Sequence, residues 1–193
     1  VAFLCHSGLG WGSCVVLEDS DSGSCLDDKA LEWSGSGRGD YRESPVELAG
    51  QSTDFRFVGA ETVKGSVPMT CGLPQAKGDC ETLVLTLEQP GARLKLLYTA
   101  FPTVLVRRTV LENTGDTAIQ VNKLMSFSVD LPGTYTMATF HGGWIAEMRR
   151  QDNRVGGAKI TNESRTGASS NQHNPGFFLR EPDTTEHSGV AYG

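Results

Sequence analysis

The sequence predicts an all-β protein built from antiparallel strands. Apolar and polar residues alternate with a period of two over several stretches, and turn residues recur about every 10 residues. No stretch has the 3.6-residue period of an amphipathic helix. Because the alternating stretches are long and numerous, they favour broad sheets in a large sandwich rather than a small immunoglobulin-like module.

Length and charge exclude several classes of partner. The 193 residues suffice for one large domain or two small ones, and 23 glycines indicate many turns. The formal net charge of −6 argues against nucleic acid and against an anionic membrane surface as partners. No apolar run approaches the roughly 20 residues that a membrane helix needs.

Patterning divides the chain into two regions. Residues 1–30 carry a glycine-rich stretch and an acidic serine-rich run, so we expect an atypical or disordered N-terminal segment with one short strand at 14–17. The chain begins with Val instead of Met, which indicates a processed, trimmed or partial chain. Residues 31–193 carry the remaining predicted strands and are expected to form one β-domain.

The clearest strands lie in the first half of this domain. The predicted strands there are 55–58, 61–64, 82–87, 93–100 and 104–112. Pro90-Gly91 supplies a turn between the third and the fourth, and Asn113-Thr-Gly-Asp supplies a hairpin-type turn after the fifth.

A long strand is predicted at 118–130, followed by shorter ones. Its expected buried face consists of Ile119, Val121, Lys123, Met125, Phe127 and Val129, and polar residues occupy the other face. The later predicted strands are 134–140, 143–149, 158–162, 176–179 and 189–192.

The five cysteines leave their pairing open. Cys71 and Cys80 flank a Gly-Leu-Pro turn, and either a disulfide or two buried thiols fits this spacing. No Cys-x-x-Cys pair occurs, and no histidine lies at zinc-ligand spacing, so no metal site and no cofactor are predicted. The sequon Asn162-Glu163-Ser164 favours a secreted protein without fixing the compartment.

No catalytic constellation is visible. The chain has neither a Gly-x-Ser-x-Gly elbow nor a His-x-x-x-His pair. His173 and His187 are interpreted as structural histidines. Trp144 follows two glycines, and two interpretations are open: an exposed platform on which a sugar ring stacks, or a core tryptophan.

Several motifs in order resemble one family. They are Gly-Arg-Gly-Asp-Tyr-Arg (37–42), Ser-Val-Asp-Leu-Pro (128–132), Gly-Gly-Trp (142–144), Ser-Ser-Asn-Gln-His-Asn-Pro (169–175) and Asp-Thr-Thr-Glu…Gly-Val-Ala-Tyr-Gly (183–193). Together they resemble the N-terminal domain of glycoside hydrolase family 36 α-galactosidases. The resemblance implies a large antiparallel β-supersandwich of the galactose-mutarotase-like type, incomplete at its C-terminus and followed by a (β/α)8 catalytic barrel.

The resemblance also implies a function. Enzymes of this family hydrolyse terminal α-galactosyl residues with retention, using two barrel aspartates beyond Gly193, so this chain alone is expected to be inactive and no catalytic residue is assigned to it. Trp144 matches a family tryptophan that reaches the galactose pocket, often across a subunit contact. The implied partners are therefore an α-galactoside, the protein's own barrel and further copies in a homo-oligomer. Ile145, Ala146, Met148 and Asn171 depart from the usual family residues.

A second interpretation stays open. The same alternating strands and Trp144 suit a stand-alone carbohydrate-binding β-sandwich with no enzyme attached.

Overall fold

The computed structural model describes residues 2–6, 14–18, 45–68, 75, 77–127, 133–163, 172–185 and 190–192. Within these ranges the chain forms thirteen strands and no helix, so nothing described there is a helix that could cross a membrane. Every strand pair is antiparallel. The predicted all-β, antiparallel fold class is therefore confirmed.

The chain divides into two compact units, Val1–Leu131 and Pro132–Gly193. The strands of the first unit are β1 (Ala2–His6), β2 (Cys14–Glu18), β3 (Val46–Leu48), β4 (Gln51–Ser52), β5 (Arg56–Lys64), β6 (Glu81–Gln89), β7 (Ala92–Ala100), β8 (Leu105–Asn113) and β9 (Val121–Leu124). They form the hairpin β1-β2, a sheet in the order β4-β3-β9 and a sheet in the order β5-β6-β7-β8.

The core of the first unit lies where these two sheets face each other. Strands β6 and β7 pair over their full length, from Glu81 opposite Ala100 to Gln89 opposite Ala92. Alternate residues of this hairpin point to one face and pack against β3. The core cluster consists of Val46, Leu48, Phe55, Leu85, Leu87, Ala92, Leu94, Leu96 and Tyr98. Burial of each large aliphatic side chain contributes about 1.5–3 kcal/mol, so this cluster dominates the unit's stability.

A pair of threonines lies buried on the opposite face of the same hairpin. The hydroxyl of Thr82 donates to the carbonyl oxygen of Gly65 over 2.7 Å, and it lies 2.8 Å from the hydroxyl of Thr99. Because Thr82 has only one hydroxyl proton, Thr99 must be the donor between the two threonines. Two buried hydroxyls are thereby satisfied without water.

Charged side chains cross three strands at the far end of this face. Glu112 on β8 accepts from Lys95 over 2.5 Å and from Arg93 over 3.4 Å, and Arg93 also donates to Glu88 over 2.6 Å. The hydrogen bond from Lys95 is the largest cause that lowers the pKa of Glu112 below its usual value, and the charges of both basic residues act in the same direction.

The strands of the second unit are β10 (Thr136–His141), β11 (Arg149–Arg154), β12 (His173–Arg180) and β13 (Val190–Tyr192). They form one sheet in the order β11-β10-β12-β13. The centre of β10 is buried at Met137, Ala138 and Thr139. Its register with β12 shifts between Thr139 and His141, where β10 approaches the loop that leads to β11.

Most predicted strands occur in the structure. The predictions at 14–17, 82–87, 93–100, 104–112, 134–140, 176–179 and 189–192 correspond to β2, β6, β7, β8, β10, β12 and β13. The two strands predicted at 55–58 and 61–64 are one continuous strand, β5. A register shift between Phe57 and Gly59 interrupts its alternation, which explains why the pattern looks like two strands.

The prediction for residues 118–130 is wrong in length and at one residue of its expected buried face. Among the described residues of this range, only Val121–Leu124 are in a strand, and the predicted residue Val129 lies outside the described residues. Val121 is 49% exposed, whereas Ile119 packs against the core. The register of β9 against β3 shifts between Glu47 and Leu48, so the alternation fails at Val121. After it the predicted alternation holds, since Lys123, Met125 and Phe127 are less exposed than Asn122, Leu124 and Ser126.

Two further predicted strands are also wrong. Of the range predicted at 143–149, residues 143–148 form the turn that precedes β11, which begins at Arg149. Residues 158–162 are not in a strand. Four observed strands were not predicted: β1, β3, β4 and β11. Strand β11 reads Arg-Arg-Gln-Asp-Asn-Arg, so it has no apolar alternation from which a strand could be recognised.

The threonine pair predicts unequal effects of two similar substitutions. Thr82→Val leaves the Thr99 hydroxyl without its acceptor in a buried place, so we expect it to lower the free energy of unfolding by about 1–3 kcal/mol. Thr99→Val removes only a donor to Thr82, whose own proton still reaches Gly65, so we expect a smaller loss. Urea denaturation of both variants measures the difference, and equal losses would contradict the assigned direction of the hydrogen bond.

The lowered pKa of Glu112 predicts a pH-dependent contribution to stability. Because the folded-state pKa lies below the unfolded value, the contribution is present above the unfolded pKa and is lost as pH falls through the folded pKa. Glu112→Gln should therefore flatten the acid side of the stability curve, with the smallest difference from the wild type at the lowest pH. Urea midpoints measured between pH 7 and pH 2 check this, and Glu181→Gln is the control at an exposed carboxylate.

Candidate functional site

Trp144 lies in the loop between β10 and β11, residues 142–148, which we call the aromatic loop. Its backbone reverses between Gly143 and Ala146, which exchange hydrogen bonds of 3.3 and 2.9 Å. Trp144 and Ile145 are the two residues at the turn. Ile145 has a φ of 64°, and a positive φ at only the second turn residue is the type II pattern, in which glycine or asparagine is usual. A β-branched residue is an outlier there, so surrounding contacts must hold it in place.

Gly142 has no room for a side chain. A Cβ atom at this position would lie 2.1 Å from the carbonyl oxygen of Ala146 and 2.8 Å from the Cα of Glu147. Both contacts are with backbone, which cannot rotate away as a flexible side chain can. The first glycine of the Gly-Gly-Trp motif therefore permits the close approach of the two sides of the loop.

The aromatic loop carries three large apolar side chains into solvent. The exposed fractions are 85% for Trp144, 83% for Ile145 and 62% for Met148. The interpretation of Trp144 as a core residue is therefore wrong. An indole with this exposure leaves its apolar surface available to a ligand, and sugars present an apolar C–H face that stacks on such a surface.

The start of β12 holds the aromatic loop from one side. The Gly142 N–H donates to the carbonyl oxygen of Gln172 over 3.3 Å, and the Asn174 amide donates to the sulfur of Met148 over 2.7 Å. Asn162 in turn donates to the carbonyl oxygen of Asn174 over 2.7 Å. Sequence reasoning missed these roles of Gln172 and Asn174, because only the strand pairing brings the two motifs together.

Two histidines pack at the base of the aromatic loop. His141 and His173 oppose each other on β10 and β12, and their rings meet edge to face with centroids 5.8 Å apart. The Nε2 atom of His141 is buried and finds no hydrogen-bond partner among the described residues. The contact gives His173 a packing role beside the loop, whereas His187 lies outside the described residues.

Asp152, on β11, forms ion pairs with two arginines of the same sheet. It accepts from Arg150 over 2.8 and 2.9 Å and from Arg180 over 2.6 Å. The hydrogen bonds from Arg150 are the largest cause that lowers its pKa, and the charges of both arginines contribute. Asp152 therefore stays ionised near neutral pH and links β11 to β12 across β10, which suits a structural role rather than proton donation.

The first unit contains a broad open groove of about 580 Å³ at the ends of β5, β6 and β7. Its lining includes Lys64, Asp79, Glu81 and Cys80. The Cys80 thiol is free and half-buried, and Cys71 lies outside the described residues. Within the described ranges, no cluster of three or more His, Cys, Asp or Glu side chains could hold a metal ion.

Comparison with known proteins links this fold to one family. Residues 12–193 match the glycosyl hydrolase family 36 N-terminal domain. Alpha-galactosidase 2 of Hypocrea jecorina is 36% identical over 169 residues, which are 81% of this chain and 22% of that protein.

Two solved structures are similar in fold. The family 36 α-galactosidase AgaB from Geobacillus stearothermophilus has a TM-score of 0.80 at 24% identity, over 97% of this chain and 30% of that one. A variant of AgaA from the same organism, solved in complex with stachyose, has a TM-score of 0.71 at 28% identity, over 90% of this chain and 26% of that one.

The matched region is a minor part of each of these proteins. The chain spans about a fifth of the length of the curated relative and between a quarter and a third of the two solved chains. The family match nevertheless covers nearly all of this chain, including both the aromatic loop and the segment of β12 that holds it. The chain therefore belongs to the family of glycosyl hydrolase family 36 N-terminal domains.

Proposed function

We propose that this chain is the non-catalytic N-terminal part of a retaining α-galactosidase that hydrolyses terminal α-galactosyl residues of galacto-oligosaccharides. Family membership supports the proposal, as does the name of the relative from Hypocrea jecorina. A further support is the stachyose complex of AgaA, because stachyose is an oligosaccharide that ends in an α-galactosyl unit. The short span of the match agrees with a catalytic barrel encoded by another part of the protein.

The observation that carries the proposal for this chain's own residues is the exposed Trp144 on a hydrogen-bonded turn. A contiguous exposed apolar patch often marks a binding surface, and two further exposed apolar side chains, Ile145 and Met148, lie beside Trp144 in the aromatic loop. In the proposed enzyme, Trp144 forms one wall of the galactose pocket and stacks on the sugar. The remaining walls come from the barrel of the same subunit or of a neighbouring copy in a homo-oligomer.

In this proposal the chemistry and the binding belong to different parts of the protein. A retaining mechanism needs two carboxylates about 5–5.5 Å apart, one as nucleophile and one as acid and base. The proposal assigns both to the barrel and assigns only sugar binding to Trp144. Trp144 therefore acts chiefly on the Michaelis constant, because stacking on a ring holds the ground state and the transition state alike.

Removal of the Trp144 indole should weaken substrate binding. In the full-length protein, Trp144→Ala is expected to raise KM for an aryl α-galactoside about tenfold, which corresponds to roughly 1.4 kcal/mol of stacking. We expect kcat to change much less, and Trp144→Phe to retain part of the effect. Steady-state kinetics measure both constants, with Val155→Ala as a control at an exposed apolar residue of the same unit. An unchanged KM for Trp144→Ala would contradict the proposed contact.

Measurements on the isolated chain distinguish this proposal from the alternative that the chain is a stand-alone carbohydrate-binding protein. We expect no turnover of an aryl α-galactoside and negligible binding of galactose, because the proposed pocket needs walls from outside the chain. Tryptophan fluorescence during galactose titration measures binding, with Trp144→Ala as the control. Strong binding that disappears in this variant would favour the stand-alone protein, and turnover by the isolated chain would contradict the assignment of catalysis to the barrel.

A further inference from the structure

Strand β12 contains a bulge next to the aromatic loop. Between its paired positions at Thr139 and His141, β10 has one residue, whereas β12 has three, residues 174–176, which we call the β12 bulge. Its middle residue is Pro175, which has no N–H to donate to a strand ladder. Because a bulge interrupts the ladder and leaves extra residues unpaired, its backbone groups need partners from outside the neighbouring strand.

The side chain of Asn162 supplies such a partner. Its Nδ2 atom donates to the carbonyl oxygen of Asn174, the first residue of the β12 bulge, over 2.7 Å. Asn162 is half-buried between two exposed neighbours, Thr161 and Glu163, and its Oδ1 atom is buried. The backbone therefore runs along the surface at this point, while the asparagine side chain turns inward and lies against the bulge.

The residue that Asn162 holds also contacts the aromatic loop. The side-chain amide of Asn174 donates to the sulfur of Met148 over 2.7 Å. Two residues earlier, the carbonyl oxygen of Gln172 accepts from the Gly142 N–H over 3.3 Å. Both ends of the aromatic loop thus have contacts with the segment of β12 whose backbone Asn162 fixes.

Asn162 is at the same time the acceptor position of the sequon Asn162-Glu163-Ser164. Glycosylation would replace one of its two Nδ2 protons by the anomeric carbon of a sugar, which an oligosaccharyl donor releases. N-linked glycans are bulky and occupy surface positions. At Asn162, the amide nitrogen lies against a carbonyl group and the amide oxygen is buried, so a glycan would compete with these contacts.

We propose that Asn162 fixes the β12 bulge through its side-chain amide and that its sequon consequently carries no glycan in the folded protein. The amide has a structural task that a glycan would disturb. An unused sequon gives no indication of the compartment. This inference goes beyond the proposed function, because it does not depend on whether Trp144 contacts a sugar.

Two substitutions that both destroy the sequon distinguish the role of the amide from that of a glycan. Asn162→Asp keeps the shape of the side chain but replaces the donating NH2 group by an accepting oxygen, whereas Ser164→Ala leaves the amide intact. In the full-length protein, amide exchange in peptides that contain Gly142 or the β12 bulge should accelerate about fivefold in Asn162→Asp, the effect of one hydrogen bond of ordinary strength. In Ser164→Ala it should stay within about twofold of the wild type, because the hydrogen bond remains. Hydrogen–deuterium exchange followed by mass spectrometry measures these rates.

The wild type reports the state of the sequon directly, so this second test needs no variant of Asn162. The full-length protein is secreted from a yeast host, and the mass of the peptide that contains Asn162 is measured before and after enzymatic removal of N-glycans. We expect no glycan at this position. Gly115→Asn is the positive control, because it creates a sequon with Thr117 in an exposed turn, where an added Cβ atom meets nothing closer than 3.5 Å.

Two results would overturn the inference. A glycan on Asn162 in the secreted, folded wild type would show that the amide is available to the glycosylation machinery. Equal exchange rates in Asn162→Asp and Ser164→Ala would show that the amide does not hold the bulge. Asn162→Ala, which introduces no charge, should match Asn162→Asp in direction, because both lack the donor. Since neither test uses a substrate, an unchanged KM for Trp144→Ala would contradict the proposed function and leave the role of Asn162 intact.

Discussion

Pairing between antiparallel strands is the constraint on which every other described feature depends. In the first unit, β6 and β7 pair without a register shift, so Leu94 and Leu96 face β3 while Thr99 faces the other side. A slip by one residue would move the leucines to the outer face and bury charged neighbours such as Lys95. The apolar core and the ionic contacts of this hairpin are therefore two consequences of one register.

In the second unit, a change of register shapes the aromatic loop. The pairing of β10 with β12 is regular from Thr136 to Thr139 and shifts before His141, at the entrance to the aromatic loop. The shift places His141 against His173 and brings the Gly142 N–H to the carbonyl of Gln172. The Gly-Gly-Trp and Gln-His-Asn motifs, distant in sequence, thus become two sides of one structure that presents Trp144 to solvent.

The side-chain hydrogen bonds of the threonine pair are buried in the first unit, whereas those at the aromatic loop are exposed in the second. In the first, Thr82 and Thr99 form a hydrogen bond in a buried place, where loss of a partner costs the desolvation of a hydroxyl. In the second, Glu147 and Asn174 make their hydrogen bonds at the exposed aromatic loop, where they fix conformation and contribute little to overall stability. The same kind of interaction therefore stabilises a buried part of the fold in one place and shapes an exposed loop in the other.

The sequence by itself determined the all-β class, the long central strands and the family, because period-two alternation and several ordered motifs are local properties of the chain. It also indicated Trp144 as a candidate for sugar binding. Only the tertiary structure decided that Trp144 is exposed, that Val121 is not buried, and that residues 143–148 turn instead of extending. These outcomes depend on register shifts and on contacts between distant segments, such as Asn174 with Met148, which no local pattern records.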